Sequence, residues 1–165
     1  MPGLSELHEA LQTAWASTGL KTQFEGYWSS GDRSEFESLN DGEAAPGTPF
    51  PYCVFETPTL SVVGRMSGGC DVKYQTADIP LTFKIYAKGT SSYSGKEIAL
   101  TLAERVLKYF GGHPNPANTP ISLPMDNNGF LITQYSRDFP GGRKEEETYL
   151  WVIEYTVKID MPIAV

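Results

Sequence analysis

The sequence predicts an α+β fold. It is a two-layer sandwich in which a mostly antiparallel sheet of four to five strands carries two helices on one face and closes with a long C-terminal hairpin. Three observations predict it. From Tyr149 to Met161 the chain alternates strictly, with Tyr149, Trp151, Ile153, Tyr155, Val157, Ile159 and Met161 on one face and Leu150, Val152, Glu154, Thr156, Lys158 and Asp160 on the other. That alternation lasts about twice a usual strand length. Two segments, near 4–17 and 94–110, instead carry apolar residues at helical spacing. Two helices cover one face of such a sheet, so the other face is either solvated or covered by another subunit.

The elements follow in order. Leu4, Leu7, Leu11, Ala14 and Trp15 define the first helix. Gly19 fits the position just past its end, with Leu20 as the apolar contact of the cap. Lys21 to Trp28 reads as a short strand. Ser29 to Pro49, rich in Ser, Gly, Asp and Glu, reads as a mobile acidic loop at about 29–49. Phe50 to Glu56 is a strand with Tyr52 and Val54 opposite Cys53 and Phe55, broken by Thr57-Pro58. Leu60 to Met66 is a second, weakened by Gly64, and Ser67-Gly68-Gly69 is a turn. Ile79, Leu81, Phe83 and Ile85 alternate with Thr82, Lys84 and Tyr86, and Pro80 points to an edge or strand-start position. Ser94 and Glu97 form a capping box before the second helix, whose buried stripe is Ile98, Leu102, Val106 and Tyr109 or Phe110. Gly111-Gly112 stops it. Residues 113–128 are a loop, Gly129 to Asp138 a strand, and Pro140 to Glu147 a charged hairpin tip before the final strand.

At 165 residues the chain suits one domain with its own core. No apolar run is long enough to cross a membrane. The first eleven residues lack the basic and apolar regions of a signal peptide, which reads as a cytoplasmic product. Net charge is −7, concentrated in residues 1–45, where eight acids face Lys21 and Arg33 alone. No basic stripe is interleaved with aromatics, which disfavours sequence-specific nucleic-acid binding.

Chemistry-bearing patterns are few. Cys53 and Cys70 have no Cys-x-x-Cys spacing and read as packed thiols, and with only His8 and His113 beside them no zinc site or other metal site is expected. Neither histidine has a nucleophile motif nearby, so no catalytic residue and no cofactor is expected. Glu145, Glu146 and Glu147 read as a solvated tip rather than a cation cage. Tyr149, Trp151 and Tyr155 read as core, with a ligand platform as the alternative. The candidate subunit or partner surface comprises Arg143, Lys144, Glu145, Glu146, Glu147 and Tyr149 together with Glu35, Glu37 and Asp41.

An N-terminal helix is followed by Phe50-Pro51-Tyr52-Cys53-Val54-Phe55 and a strand ending Phe83-Lys84-Ile85-Tyr86-Ala87. An Ala-containing helix over Ile98 to Phe110 and a hairpin ending Trp151-Val152-Ile153-Glu154-Tyr155-Thr156-Val157 complete the order. This order resembles the small tail-terminator and tail-completion proteins of tailed phages and prophages, the minor tail protein U group among them. The insertion at 29–49 and the loop at 113–128 depart from that pattern. The resemblance implies a non-enzymatic virion assembly protein. It implies a self-assembled ring, commonly a hexamer, on the head-proximal end of the tail tube. Its partners would be the tail tube protein and the head connector or completion protein. Its place would be the virion tail, assembled in the bacterial cytoplasm, with DNA passing through the ring and no membrane involved. A head-completion protein of the same virion class, and a small ligand-binding domain using the Tyr149, Trp151 and Tyr155 face, are the alternatives.

Overall fold

The computed structural model describes residues 4–17, 19–57, 61–67, 73–110, 131–135, 141–145 and 147–163. The loop expected at 113–128, with Cys70, His113 and Glu146, lies outside them. Helix α1 (Leu4–Ser17) buries Leu7, Ala10, Leu11, Ala14 and Trp15, a single stripe at helical spacing. Gly19 follows it at φ 79°, the left-handed geometry that lets a helix stop and the chain reverse.

What comes next is a helix. The strand expected over 21–28 is α2 (Leu20–Glu25), and it buries Leu20 and Phe24, four residues apart. The Phe24 ring lies 4.8 Å from that of Trp15. Leu20 and Phe24 are one turn apart, so a single helical turn buries both, whereas a strand would need alternation that Lys21, Thr22 and Gln23 do not supply.

The acidic stretch at 29–49 is likewise not structureless. It holds a one-turn helix, α3 (Asp32–Glu35), and a strand, β1 (Leu39–Asp41). Its buried residues explain why: Ser38, Leu39 and Thr48 are buried although most of their neighbours are exposed. The backbone N–H of Cys53 donates to the Ser38 carbonyl at 2.7 Å, and the Trp15 indole N–H donates to the Ser38 hydroxyl at 3.0 Å.

Among the described residues the sheet contains seven strands, where four to five were expected. Besides β1 it comprises β2 (Tyr52–Glu56), β3 (Ser61–Ser67), β4 (Lys73–Lys88), β5 (Leu131–Tyr135), β6 (Gly141–Glu145) and β7 (Thr148–Ile163). Its centre is an unbroken antiparallel pairing of β4 with β7, from Lys73 opposite Ile163 to Lys88 opposite Thr148. One flank of β4 takes β2 at residues 82–86 and β3 at 73–78. One flank of β7 takes β6 at 148–152 and β5 at 155–158. β1 runs parallel to β2 at the outer edge.

Pro80 is therefore inside a central strand, not near a strand start. It is tolerated because residues 79–81 fall in the interval between β2 and β3, where β4 has no described partner on that side. A residue without an N–H costs no ladder bond there. The corresponding interval on β7 is 153–154, so the two breaks are offset along the ribbon.

Helix α4 (Gly95–Phe110) is fixed at its start by the expected box. The Glu97 N–H donates to the Ser94 hydroxyl at 3.2 Å, and the Ser94 N–H donates to the Glu97 carboxylate at 3.0 Å. It buries Ile98, Ala99, Leu102, Ala103, Val106 and Phe110. Phe83 is the hub beneath, 5.2 Å from Phe110 and edge-on to Tyr155 at 5.9 Å. The fold is thus α+β, with α1, α2 and α4 sharing one core with the sheet face of Cys53, Phe55, Ile79, Leu81, Phe83, Ile85, Ile153 and Tyr155. At ~1.5 Å per residue α4 is ~24 Å long. At ~3.3 Å per residue the sixteen-residue strands reach ~53 Å, so the ribbon runs well past that helix.

Cys53 is fully buried between Ile85 and the helices, and burial pushes its thiol well above the ordinary range. Burial raises the Tyr155 hydroxyl in the same way. Each folded pKa lies above its unfolded value, so the native state holds a proton that the unfolded chain releases, and stability falls as pH rises. The loss begins near the unfolded thiol value, about pH 8.5. Thermal melts in reductant across pH 7–10.5 are expected to show that decline. Cys53→Ala should flatten it by up to about 1.4 kcal/mol per pH unit.

Candidate assembly surfaces

The residues expected to form one interface sit at opposite edges of the sheet. Arg143, Lys144 and Glu145 belong to β6, where they pair with Leu150, Tyr149 and Thr148. Within the expected hairpin tip at 140–147, residues 141–145 are therefore strand. Charged side chains are compatible with an edge strand, which is where sheets place them. Glu147 is exposed, and Tyr149 is half-buried against the core. Glu35, Glu37 and Asp41 lie in and around α3 and β1. Three strands, β2, β4 and β7, separate the two groups, a distance of roughly 19 Å across the sheet.

The acidic edge is built by inward anchors. The Arg33 guanidinium donates from Nε to the Glu25 carbonyl at the C-terminus of α2 at 2.9 Å and from Nη2 to the Trp28 carbonyl beyond it at 3.3 Å. The Trp28 indole N–H donates to the Pro51 carbonyl at 3.0 Å. Asn40 donates its amide to the Glu37 carbonyl at 3.0 Å. Lys21 bridges the buried Glu25 at 3.3 Å and the exposed Glu37 at 3.1 Å. Partial burial alone would lower the Lys21 pKa, but the two carboxylates outweigh it and raise it. With Arg33 engaged inward and Lys21 shared between Glu25 and Glu37, Glu35, Glu37, Asp41 and Glu43 are exposed.

The β1 edge is closed to strand addition. The Leu39 carbonyl accepts the Gln12 amide at 3.3 Å, and the Asp41 carbonyl accepts the Glu43 N–H at 2.8 Å. An edge whose outward carbonyls are occupied is a poor template for another chain.

His8 adds a cluster that neither spacing nor composition announces. Its Nδ1 lies 3.0 Å from Asp41 Oδ2 and its Nε2 3.1 Å from Thr57 Oγ1, with the ring edge-on to Phe55 at 5.1 Å. The order carboxylate, imidazole, hydroxyl matches that of an acyl-transfer relay. Two features make it a clamp joining α1, β1 and the end of β2. The Asp41 side chain is 55% exposed, where solvent screens the pair. Thr57 precedes Pro58, which has no N–H to offer a developing oxyanion. The clamp also survives protonation: a neutral ring donates to Asp41 and accepts from Thr57, and a charged one donates to both.

The sheet face away from the helices carries a row of rings. Phe50 and Tyr52 lie 5.1 Å apart, Tyr52 stacks on Tyr86 at 5.1 Å and 24°, and Lys88 Nζ sits 4.5 Å over the Phe50 ring. Lys84 and Glu56 pair at 3.1 Å across neighbouring strands. The two tyrosines stack on each other across neighbouring strands. Strand register, which brings position 52 opposite 86, created this row, and no local signal carries that information.

The alternative platform of Tyr149, Trp151 and Tyr155 does not form, because Tyr155 is 3% exposed and packed on Phe83. Trp151 is half-buried opposite Ile85, and its indole N–H is buried without a hydrogen-bond partner among the described residues. An unpaired buried donor costs about 1–3 kcal/mol. Trp151→Phe is thus expected to change stability by under about 1 kcal/mol, while Trp151→Ala should cost about 3 kcal/mol, read by chemical denaturation. His8→Ala should cost about 1–2 kcal/mol in the same assay, from two hydrogen bonds and one ring contact.

Among the described residues no group of His, Cys, Asp and Glu is arranged to hold a metal ion, and no helix is long and apolar enough to cross a membrane. A scan against models of protein families finds no match to the chain, and a search of curated proteins finds no relative.

Proposed function

We propose that this chain is a non-enzymatic virion assembly protein of the tail-terminator type, which forms a ring at the head-proximal end of a phage tail tube, stops tube growth and joins the tail to the head. The observation that carries the reading is the one-sided cover of an over-long sheet. The helices share a core with one face, and the central ribbon of two sixteen-residue strands outruns α4. The opposite face keeps Tyr52, Tyr86 and Val152 half-buried, while Val54 and Leu150 on that face are buried. A surface of this kind is suited to packing against a neighbour.

The order of elements supports the reading, with an N-terminal helix, a central sheet, α4 and a closing hairpin. The chemistry supports it as well: His8 is committed to Asp41 and Thr57, and the Cys53 thiol is buried and kept protonated. The exposed acids Glu35, Glu37, Asp41 and Glu43 suit a protein near a DNA path, since like charge keeps phosphates from adhering. The partners would be further copies of this chain, the tail tube protein and the head connector or completion protein.

The test is assembly on a tube. Purified protein mixed with short tail tubes should cap them at one end, seen by negative-stain microscopy, and light scattering should show tube growth arrested. Uncapped tubes that continue to grow, with the protein monomeric at high concentration in their presence, would falsify the reading.

A further inference from the structure

One end of the sheet carries a patch of aromatic rings and cations. Lys88 ends β4, and its Nζ sits 4.5 Å over the Phe50 ring. Residues 89–94 then lead into α4 as a tight turn. The Thr90 N–H donates to the Tyr93 carbonyl at 2.8 Å, and the Tyr93 N–H donates to the Thr90 hydroxyl at 3.1 Å. A Cβ on Gly95 would stand 3.3 Å from the Ala87 carbonyl oxygen and 3.3 Å from the Gly89 nitrogen, so glycine lets the start of α4 close on the end of β4. The turn leaves Tyr93 57% exposed, more than any other large hydrophobic residue described. Lys96 is exposed in the first turn of α4. Aromatic residues are enriched where proteins meet, and one on a pinned turn has less freedom to lose on being covered.

Charge points to the partner. Among the described residues no ion pair uses Lys88 or Lys96. The acids beside them are not their partners: Glu97 accepts the Ser94 N–H, and Glu147, next to the Thr148 that faces Lys88, makes no ion pair with it. The same chain exposes acids elsewhere, around α3 and β1, and β1 lies two strand spacings from β4, roughly 10 Å across the sheet. There Glu37 shares Lys21 and Asp41 meets His8, while Glu35 and Glu43 are in no ion pair among the described residues. Each copy thus carries a cationic, aromatic surface and an acidic one, and the two do not pair within a copy.

We propose that the patch of Phe50, Lys88, Tyr93 and Lys96 is a docking surface for a second copy of this chain, which seats its acidic surface around α3 and β1 against it. The partner is a second copy because the chain itself supplies the complementary charge. The contact joins two different surfaces, so each copy gives one and takes the other, which is the kind of contact that closes into a ring when its rotation suits. It names the subunit contact of the ring proposed above and rests on that reading for the ring alone.

Four proteins test it by sedimentation velocity at low and high salt: the unaltered chain, Lys88→Glu/Lys96→Glu, Glu35→Lys/Glu43→Lys and Tyr93→Ala. All five positions are exposed, so the variants should fold, which thermal melts check. The unaltered chain should self-associate, more weakly as salt rises. Each charge-reversed variant alone sets like charges against each other and should associate roughly tenfold more weakly. An equal mixture of the two should recover the original affinity, because each then offers the other opposite charge at both contacts. Tyr93→Ala should weaken association about tenfold at either salt concentration. A chain that stays monomeric at all concentrations overturns the proposal, as does a mixture no tighter than its separate variants or a Tyr93→Ala chain that associates normally. Tubes capped by a chain that never self-associates would overturn this contact and leave the terminator reading standing, and association without capping would do the reverse.

Discussion

The rest of the structure depends on the pairing of β4 with β7. Sixteen residues of one strand lie in unbroken register against sixteen of the other. Because side chains alternate, a one-residue slip would send Ile79, Leu81, Phe83 and Ile85 to the opposite face and expose the core. The register is thus enforced by burial along its helix-covered half. Everything else is attached to this ribbon: two short strands on each flank, β1 beyond β2, and the helices on the face where Phe83 meets Phe110 and Tyr155.

Much of this was legible in the sequence because it rests on local periodicity. The stripe of α1, the capping box and stripe of α4, and the long alternation of β7 each announce an amphipathic element. The misreadings share a cause. α2 is six residues long, too short for a period to show, and it is a helix because Leu20 and Phe24 find Trp15. β1 and β6 read as loop and tip because Leu-Asn-Asp and Gly-Gly-Arg-Lys-Glu have no alternation, and only a neighbouring strand makes them extended. Pro80 argued against a central position, and what permits it there is that, among the described residues, neither β2 nor β3 pairs with it on that flank.

The surfaces were harder to read than the fold. Glu35, Glu37 and Asp41 were recognisable as exposed acids, but nothing in their spacing places them across the sheet from Arg143 and Lys144. The segment that carries them looked free because its composition is polar. It is held by a few specific groups instead: Ser38 takes the Trp15 indole, Arg33 takes two carbonyls, and Trp28 reaches Pro51. Polar anchoring of this kind leaves no hydrophobic signature. The His8 cluster is similar, since Asp41 and Thr57 meet the ring only after α1 crosses the edge of the sheet.

The offset of the two flank breaks has a mechanical consequence. On the β4 flank the break falls at residues 79–81, beside Tyr155 to Val157 of β7, where β5 is still paired. On the β7 flank it falls at 153–154, beside Thr82 and Phe83, where β2 is still paired. The joints are staggered as in a course of bricks, and every cross-section there is at least three strands wide. Bending stiffness grows with width, so the ribbon has no waist at which to fold. A push at its far end, near Lys73 and Ile163, would therefore reach the helix-covered half as the motion of a lever rather than be lost in a hinge.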